Sequence, residues 1–216
     1  MNPEFALRSG IMASKTKILS GTDWVAFLEM LIQVISIGGV IIFGFLTSWT
    51  FGREYSDGTV KDLLALPVRR SSIVAAKFIT IAIWCLFLAF TAFSITSTIG
   101  LIIGVKGFSL SVFYANLGKY FICTIMVILL SPPIAFFACY GKGYLPPLGF
   151  LIIAIFFGNI IGTMGHGAYF PWVIPGLYSG AAGEVHLPYA SYIVLLVTSL
   201  VGSLATFIWW QYADQK

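Results

Sequence analysis

The chain has 216 residues, 59% apolar and 9% charged, with twelve Lys plus Arg against eight Asp plus Glu. A soluble domain carries about 25% charged residues. So few charges cannot coat a soluble surface, which excludes soluble globular, disordered and collagen-like chains and leaves an integral membrane protein with no room for a separate soluble catalytic domain.

Residues 1–23 contain no apolar stretch of signal-peptide length and read as a polar flank. Uncharged runs then follow at 30–52, 78–105, 120–141, 143–183 and 185–213. Each is long enough for a helical crossing at about 1.5 Å per residue. We expect an all-α membrane domain over 24–212, with spans at 24–51, 74–103, 119–140, 146–165 and 189–211. Periodicity adds nothing, because helices apolar all round are what lipid demands.

Orientation follows from basic residues. Residues 53–77 hold Arg53, Lys61, Arg69, Arg70 and Lys77, while 166–188 hold none. This puts 53–77 and the C-terminus in the cytosol and 166–188 outside. The count is seven basic residues inside against five outside, or seven against two without the tail. The tail itself, with Arg8, Lys15 and Lys17, disagrees with the rule.

Span one carries a polar pair one turn apart, Glu29 and Gln33, near its outer end. A Glu29 that simply reaches interfacial water is the plainer account. Gly44, Ser48 and Gly52 recur every four residues, as do Gly100 and Gly104, a spacing that lets helices approach closely. The connection 53–77 is the one sizeable polar segment. Ser56-Asp57-Gly58 signals a turn, Thr59 and Asp62 resemble a capping box, and a short helix over 60–66 is stopped by Pro67. Ser71 or Ser72 is placed to cap the next helix.

Thr91, Ser94 and Thr98 share one face of span two. Ser131-Pro132-Pro133 should kink span three, and Asn159 is the most polar residue of span four. Residues 166–188 mix Tyr169, Phe170, Trp172 and Tyr178 with prolines and glycines, which suggests a membrane-dipping outer hairpin; an unstructured loop is the alternative. Cys85, Cys123 and Cys139 lie in apolar runs and read as packers, not a disulfide framework.

Several chemistries are missing. Neither Gly-Lys pair forms a phosphate loop, and there is no H-E-x-x-H for a metalloprotease. Ser179 and His186 share one short loop without the context of a hydrolase nucleophile. No catalytic, metal or cofactor site is expected in this chain. The cations lie between apolar runs without interleaved aromatics, so no nucleic-acid partner is expected.

Phe51-x-x-Glu54-x-x-x-Gly58-Thr59, followed by Leu63-Leu64, Pro67, Arg70 and Lys77, resembles the pattern of ABC-2-type transporter permeases around their first cytoplasmic loop. The strings 48–67 (SWTFGREYSDGTVKDLLALP), 131–133 with 143–150, and 169–175 resemble the bacitracin-export and lantibiotic-immunity branch. The resemblance implies a permease subunit that pairs with a second permease subunit within the lipid and docks separate ATPase subunits, which supply ATP and magnesium. It implies coupling through 53–77, with Glu54, Asp57, Gly58, Thr59, Lys61, Asp62, Leu63, Leu64 and Arg70 as the residues concerned. The segment 166–188 would be re-entrant, with Glu29, Gln33, Tyr169, Phe170 and Trp172 as an outer gate or substrate path. The family has six spans, so 1–23 would correspond to the outer loop after an absent first span. The expected function is ATP-driven export of a peptide antibiotic or another amphipathic or lipid-linked substrate from the plasma membrane. A non-transporting immunity or sensor protein, or a secondary transporter, is the alternative.

Overall fold

The computed structural model of the protein describes residues 23–65, 67–181 and 187–212. The flank up to residue 22, Leu66, residues 182–186 with His186, and the last four residues lie outside the described residues, as does the side chain of Leu64. The elements are α1 (Trp24–Ser56), α2 (Val60–Leu64), α3 (Arg70–Ile103), α4 (Leu110–Ile128), α5 (Ser131–Tyr140) and α6 (Leu145–Thr163), then a 3-10 turn (Gly167–Tyr169), α7 (Ile174–Ser179) and α8 (Tyr189–Tyr212). Among the described residues there is no strand; one isolated bridge pairs Asp23 with Lys106.

Among the described residues, five stretches are long and apolar enough to cross a membrane: α1, α3, α4 together with α5, α6 and α8. The expected boundaries need correction where a charge was taken as an edge. The third span begins at Leu110 rather than 119, and Lys119 lies inside α4. A lysine stem can carry its ammonium out to the interface from within a helix, so the charge does not end it. Likewise α1 runs past Arg53 to Ser56 and α3 starts at Arg70. At 33 residues α1 is roughly 50 Å long, well beyond a hydrocarbon core of about 30 Å. The helix therefore outlasts the span.

α1 is the central helix and packs against α3, α4, α5, α6 and α7. Trp24, Leu28, Ile32, Ile35, Phe43 and Phe51 are buried along it. The outer helices bury only one residue per turn. On α8 these are Ser191, Leu195, Ser199, Gly202, Thr206 and Trp210; on α3 they include Lys77, Ile81, Cys85, Ala89 and Ser97. The rest of each helix exposes Ile, Leu, Val and Phe. Small and hydroxyl-bearing residues face protein and branched residues face outward, as expected where lipid is as apolar as leucine. Among these buried hydroxyls, Thr206 donates to the Gly202 carbonyl at 2.8 Å, while those of Ser97 and Ser191 have no hydrogen-bond partner.

The Gly44–Ser48–Gly52 row is a contact surface. A Cβ on Gly44 would sit 2.7 Å from Leu151, and one on Gly52 would sit 2.5 Å from the Tyr144 backbone nitrogen. Between them Ser48 donates to the Tyr144 carbonyl at 2.6 Å. Gly100 similarly admits Trp24 and Phe27. Gly104 does not serve packing: it ends α3 at φ +73°, where a Cβ would meet nothing within 4 Å. Its job is the left-handed cap that glycine adopts without penalty.

Ser131-Pro132-Pro133 interrupts the third span, leaving two helices separated by two residues, Leu129 and Leu130, both with right-handed helical backbone. α4 ends at Ile128 and α5 restarts at Ser131, with proline in its first turn, where a missing N–H costs nothing. Gly202 of α8 faces this break, and a Cβ there would collide with the Pro132–Pro133 backbone.

Candidate functional site

Two regions concentrate polar or unusual features: the connection from α1 to α3, and a cleft between α1, α6 and α7.

In the first, α1 closes on backbone bonds. The Asp57 N–H reaches the Arg53 carbonyl at 2.8 Å, and the Thr59 N–H reaches that of Glu54 at 3.0 Å. Gly58 supplies the positive φ of +73° that reverses the chain. The expected capping box does not form: Thr59 has helical backbone angles and makes no side-chain cap bond. The Leu63 N–H bonds the Thr59 carbonyl instead, at 3.2 Å. α2 ends at Leu64, ahead of Pro67. Neither Ser71 nor Ser72 caps α3; Arg69 holds that position, and its carbonyl accepts the Ser72 N–H at 2.9 Å.

α2 has two faces. Val60 is buried and Leu63 is half-buried against the core. Thr59, Lys61, Asp62 and Ala65 are exposed. Asp57 is also exposed and pairs with Arg53 at 3.0 Å. Arg70 donates to the Trp210 carbonyl at 3.5 Å.

Glu54 behaves differently. Its Oε1 lies 2.6 Å from Lys77 Nζ, with only 10% of the Lys77 side chain and 24% of the Glu54 side chain exposed. The same ammonium donates to the Thr50 carbonyl at 2.6 Å and stands over the rings of Phe51 and Trp210, at 5.2 and 5.9 Å. Glu54 Oε2 is buried without a hydrogen-bond partner. The Trp210 indole N–H donates to Cys139 Sγ at 3.1 Å, and Tyr55 meets the same indole edge-on at 6.4 Å. One buried cluster thus joins α1, α3, α5 and α8. Cys139, expected as a plain packer, is its acceptor on α5.

The second region is a cleft of about 400 Å³ lined by residues of α1, α6 and the 172–181 segment. Ser36, Ile37, Val40 and Ile41 form one wall, and Gly158, Asn159, Gly162 and Thr163 another. Trp172, Val173, Gly176 and Leu177 close it. Ile37 and Ile41 are half-exposed, so the cleft opens at the protein surface. The segment 167–177 seats on the small residues of α6: a Cβ on Gly158 would lie 3.0 Å from Val173 and 3.3 Å from Phe170.

The expected outer-gate residues separate here. Trp172 lines the cleft, with its indole nitrogen buried and unpartnered, and packs on Phe150 and Phe170 at 5.3 and 5.7 Å. Phe170 supports the wall from behind, and Tyr169 is exposed. Glu29 and Gln33 do not line the cleft. Both are half-buried on α1, with Glu29 about 10 Å before Ser36 by helical rise. Gln33 touches the cleft only through its carbonyl, which accepts the Ser36 hydroxyl at 2.9 Å. Ser179 is buried and donates to the Gly176 carbonyl at 2.7 Å, so it closes α7 and is no nucleophile.

Sequence reasoning missed Lys77 as the partner of Glu54, and Trp210 with it. No spacing rule links residues 23 and 156 positions apart; the signal available was a lysine inside an apolar helix. Asn159 stood out by polarity, but its place in a cleft wall did not.

The comparisons agree with this architecture. Residues 5–158 match the family model described as ABC-2 family transporter protein. The chain is 29% identical over 189 residues to the bacitracin transport permease protein BCRB of Bacillus licheniformis, covering 87% of this chain and 91% of that one. No solved structure matches. A family match across well over half its length, with five stretches among the described residues long and apolar enough to cross a membrane, makes this protein a multi-pass membrane member of the ABC-2 transporter family.

Proposed function

We propose that the chain is the membrane-spanning subunit of an ATP-driven exporter, moving a peptide antibiotic or another amphipathic or lipid-linked substrate. A separate ATPase subunit supplies the energy, and a second permease subunit completes the pathway. In this reading 53–77 and the C-terminus are cytosolic, and 166–188 lies on the outer side of the plasma membrane. Similarity to a bacitracin transport permease supports the substrate class.

The observation that carries the reading is α2. Its buried side, Val60 and half-buried Leu63, fixes it to the permease, while Thr59, Lys61, Asp62 and Ala65 face outward. A rigidly mounted helix with a free polar face is suited to reaching a partner's groove. Transport then proceeds by movement of α2 with the ATPase and rearrangement of the spans, the cleft beside Trp172 serving as part of the substrate path.

The test is co-purification with the cognate ABC ATPase. Lys61→Glu with Asp62→Lys inverts the exposed face without touching the buried side. It should insert normally and lose the ATPase. Retention of the ATPase at wild-type level means α2 is not the docking element.

A further inference from the structure

The ion pair between Glu54 and Lys77 does more than close a helix packing. Glu54 is bound at both ends. Its carboxylate holds Lys77 at 2.6 Å, and its main-chain carbonyl accepts the Thr59 N–H at 3.0 Å in the turn that launches α2. Lys77 is bound on the α1 side by Glu54 and the Thr50 carbonyl, and its ammonium faces the Trp210 ring of α8. Trp210 is bound in turn to Arg70 through its carbonyl and to Cys139 of α5 through its indole N–H. A buried ammonium without its carboxylate is strongly disfavoured, so Lys77 must follow Glu54 when α2 moves. Trp210, fully buried against this cluster, must follow Lys77.

We propose that Lys77 is the positioning residue of coupling: its buried ammonium, clamped to Glu54, carries displacement of the 57–65 segment into α8 and α5. This rests on the reading of α2 as the ATPase contact. The exposed pair Arg53–Asp57 cannot do the same work, because solvent screens it and it touches only one helix.

The experiment is hydrogen–deuterium exchange on the permease–ATPase complex in nanodiscs, with and without ATP and vanadate. Two regions are followed, 57–65 and the end of α8 at 207–212. In the wild type, ATP–vanadate should change exchange in both. In Glu54→Gln/Lys77→Met, which removes both buried charges and leaves neither unpaired, the change at 57–65 should persist and that at 207–212 should be lost. Lys77→Arg, which keeps a cation beside Glu54, should retain at least part of the 207–212 response. A purely structural pair would lower protection in both regions irrespective of nucleotide. A double variant with the wild-type response at 207–212, or a wild type with a response at 57–65 alone, overturns the proposal while leaving the docking role of α2 standing. A wild type in which binding the ATPase leaves 57–65 unchanged overturns that role, and the proposal with it.

Discussion

Gly52→Ala is the sharpest probe of how α1 meets the turn before α6. The new Cβ would lie 2.5 Å from the Tyr144 nitrogen and 2.6 Å from the Gly143 carbonyl carbon, so the obstruction is backbone and no side chain can swing away. The two segments must part by about 0.9 Å to reach the 3.4 Å where ordinary contact begins. Overpacking of this kind costs about 1–3 kcal/mol. The Ser48 bond to the Tyr144 carbonyl, at 2.6 Å, would stretch beyond bonding distance, for about 1 kcal/mol more. Alanine returns about 0.5–1 kcal/mol through helix propensity. The balance is a loss of about 1–3.5 kcal/mol, or roughly one to two and a half decades in the folded fraction. Gly38→Ala and Gly118→Ala are the controls, since a Cβ meets nothing within 4 Å at either. Thermal unfolding of the purified protein in detergent, followed by tryptophan fluorescence, should place Gly52→Ala several degrees below wild type, with both controls at or slightly above it. If Gly52→Ala melts with the controls, the close contact of α1 with residues 143–144 does not exist.

Three further outcomes follow from the structure. Lys77→Met leaves the Glu54 carboxylate buried and alone and should cost about 3–5 kcal/mol, whereas Glu54→Gln/Lys77→Met should cost far less; unfolding midpoints of the two variants settle the difference. Cysteines placed at Ser56 and Met164, both exposed, should react with an impermeant maleimide in intact cells only at 164, the buried native thiols staying silent. Gly158→Leu should push Val173 and Phe170 off α6 and open the cleft wall, seen as faster proteolysis within 166–188.

How far the sequence carried depended on which force sets each feature. Spans follow from the apolar runs themselves, because lipid demands length and apolarity and little else, and five such stretches are present among the described residues. The Gly44–Ser48–Gly52 row was legible as a contact for a related reason: small side chains in a membrane helix serve close approach. Helix ends were less legible. Lys119, Arg53 and Arg70 lie inside helices, since charge marks the edge of the lipid and not the end of hydrogen bonding. The turn chemistry misled at Thr59: its N–H is taken by the Glu54 carbonyl, so the Asp62 carboxylate has no donor there to accept from, and its backbone is helical where a side-chain cap needs the extended region. Nothing in a short loop reveals that Leu63 rests on the core beside it. Lys77, Trp210 and Cys139 come from three separate helices, and only the packing of those helices brings them to Glu54.

In the proposed function this subunit moves substrate only when a separate ATPase drives it. Inside-out membrane vesicles carrying the chain with its cognate ATPase, or either alone, can be supplied with a labelled peptide antibiotic and ATP. The account predicts ATP-dependent accumulation when both are present, none with either alone, and none when Lys61→Glu/Asp62→Lys replaces the wild-type permease. Accumulation by the permease alone, driven by an imposed proton gradient without ATP, would contradict it.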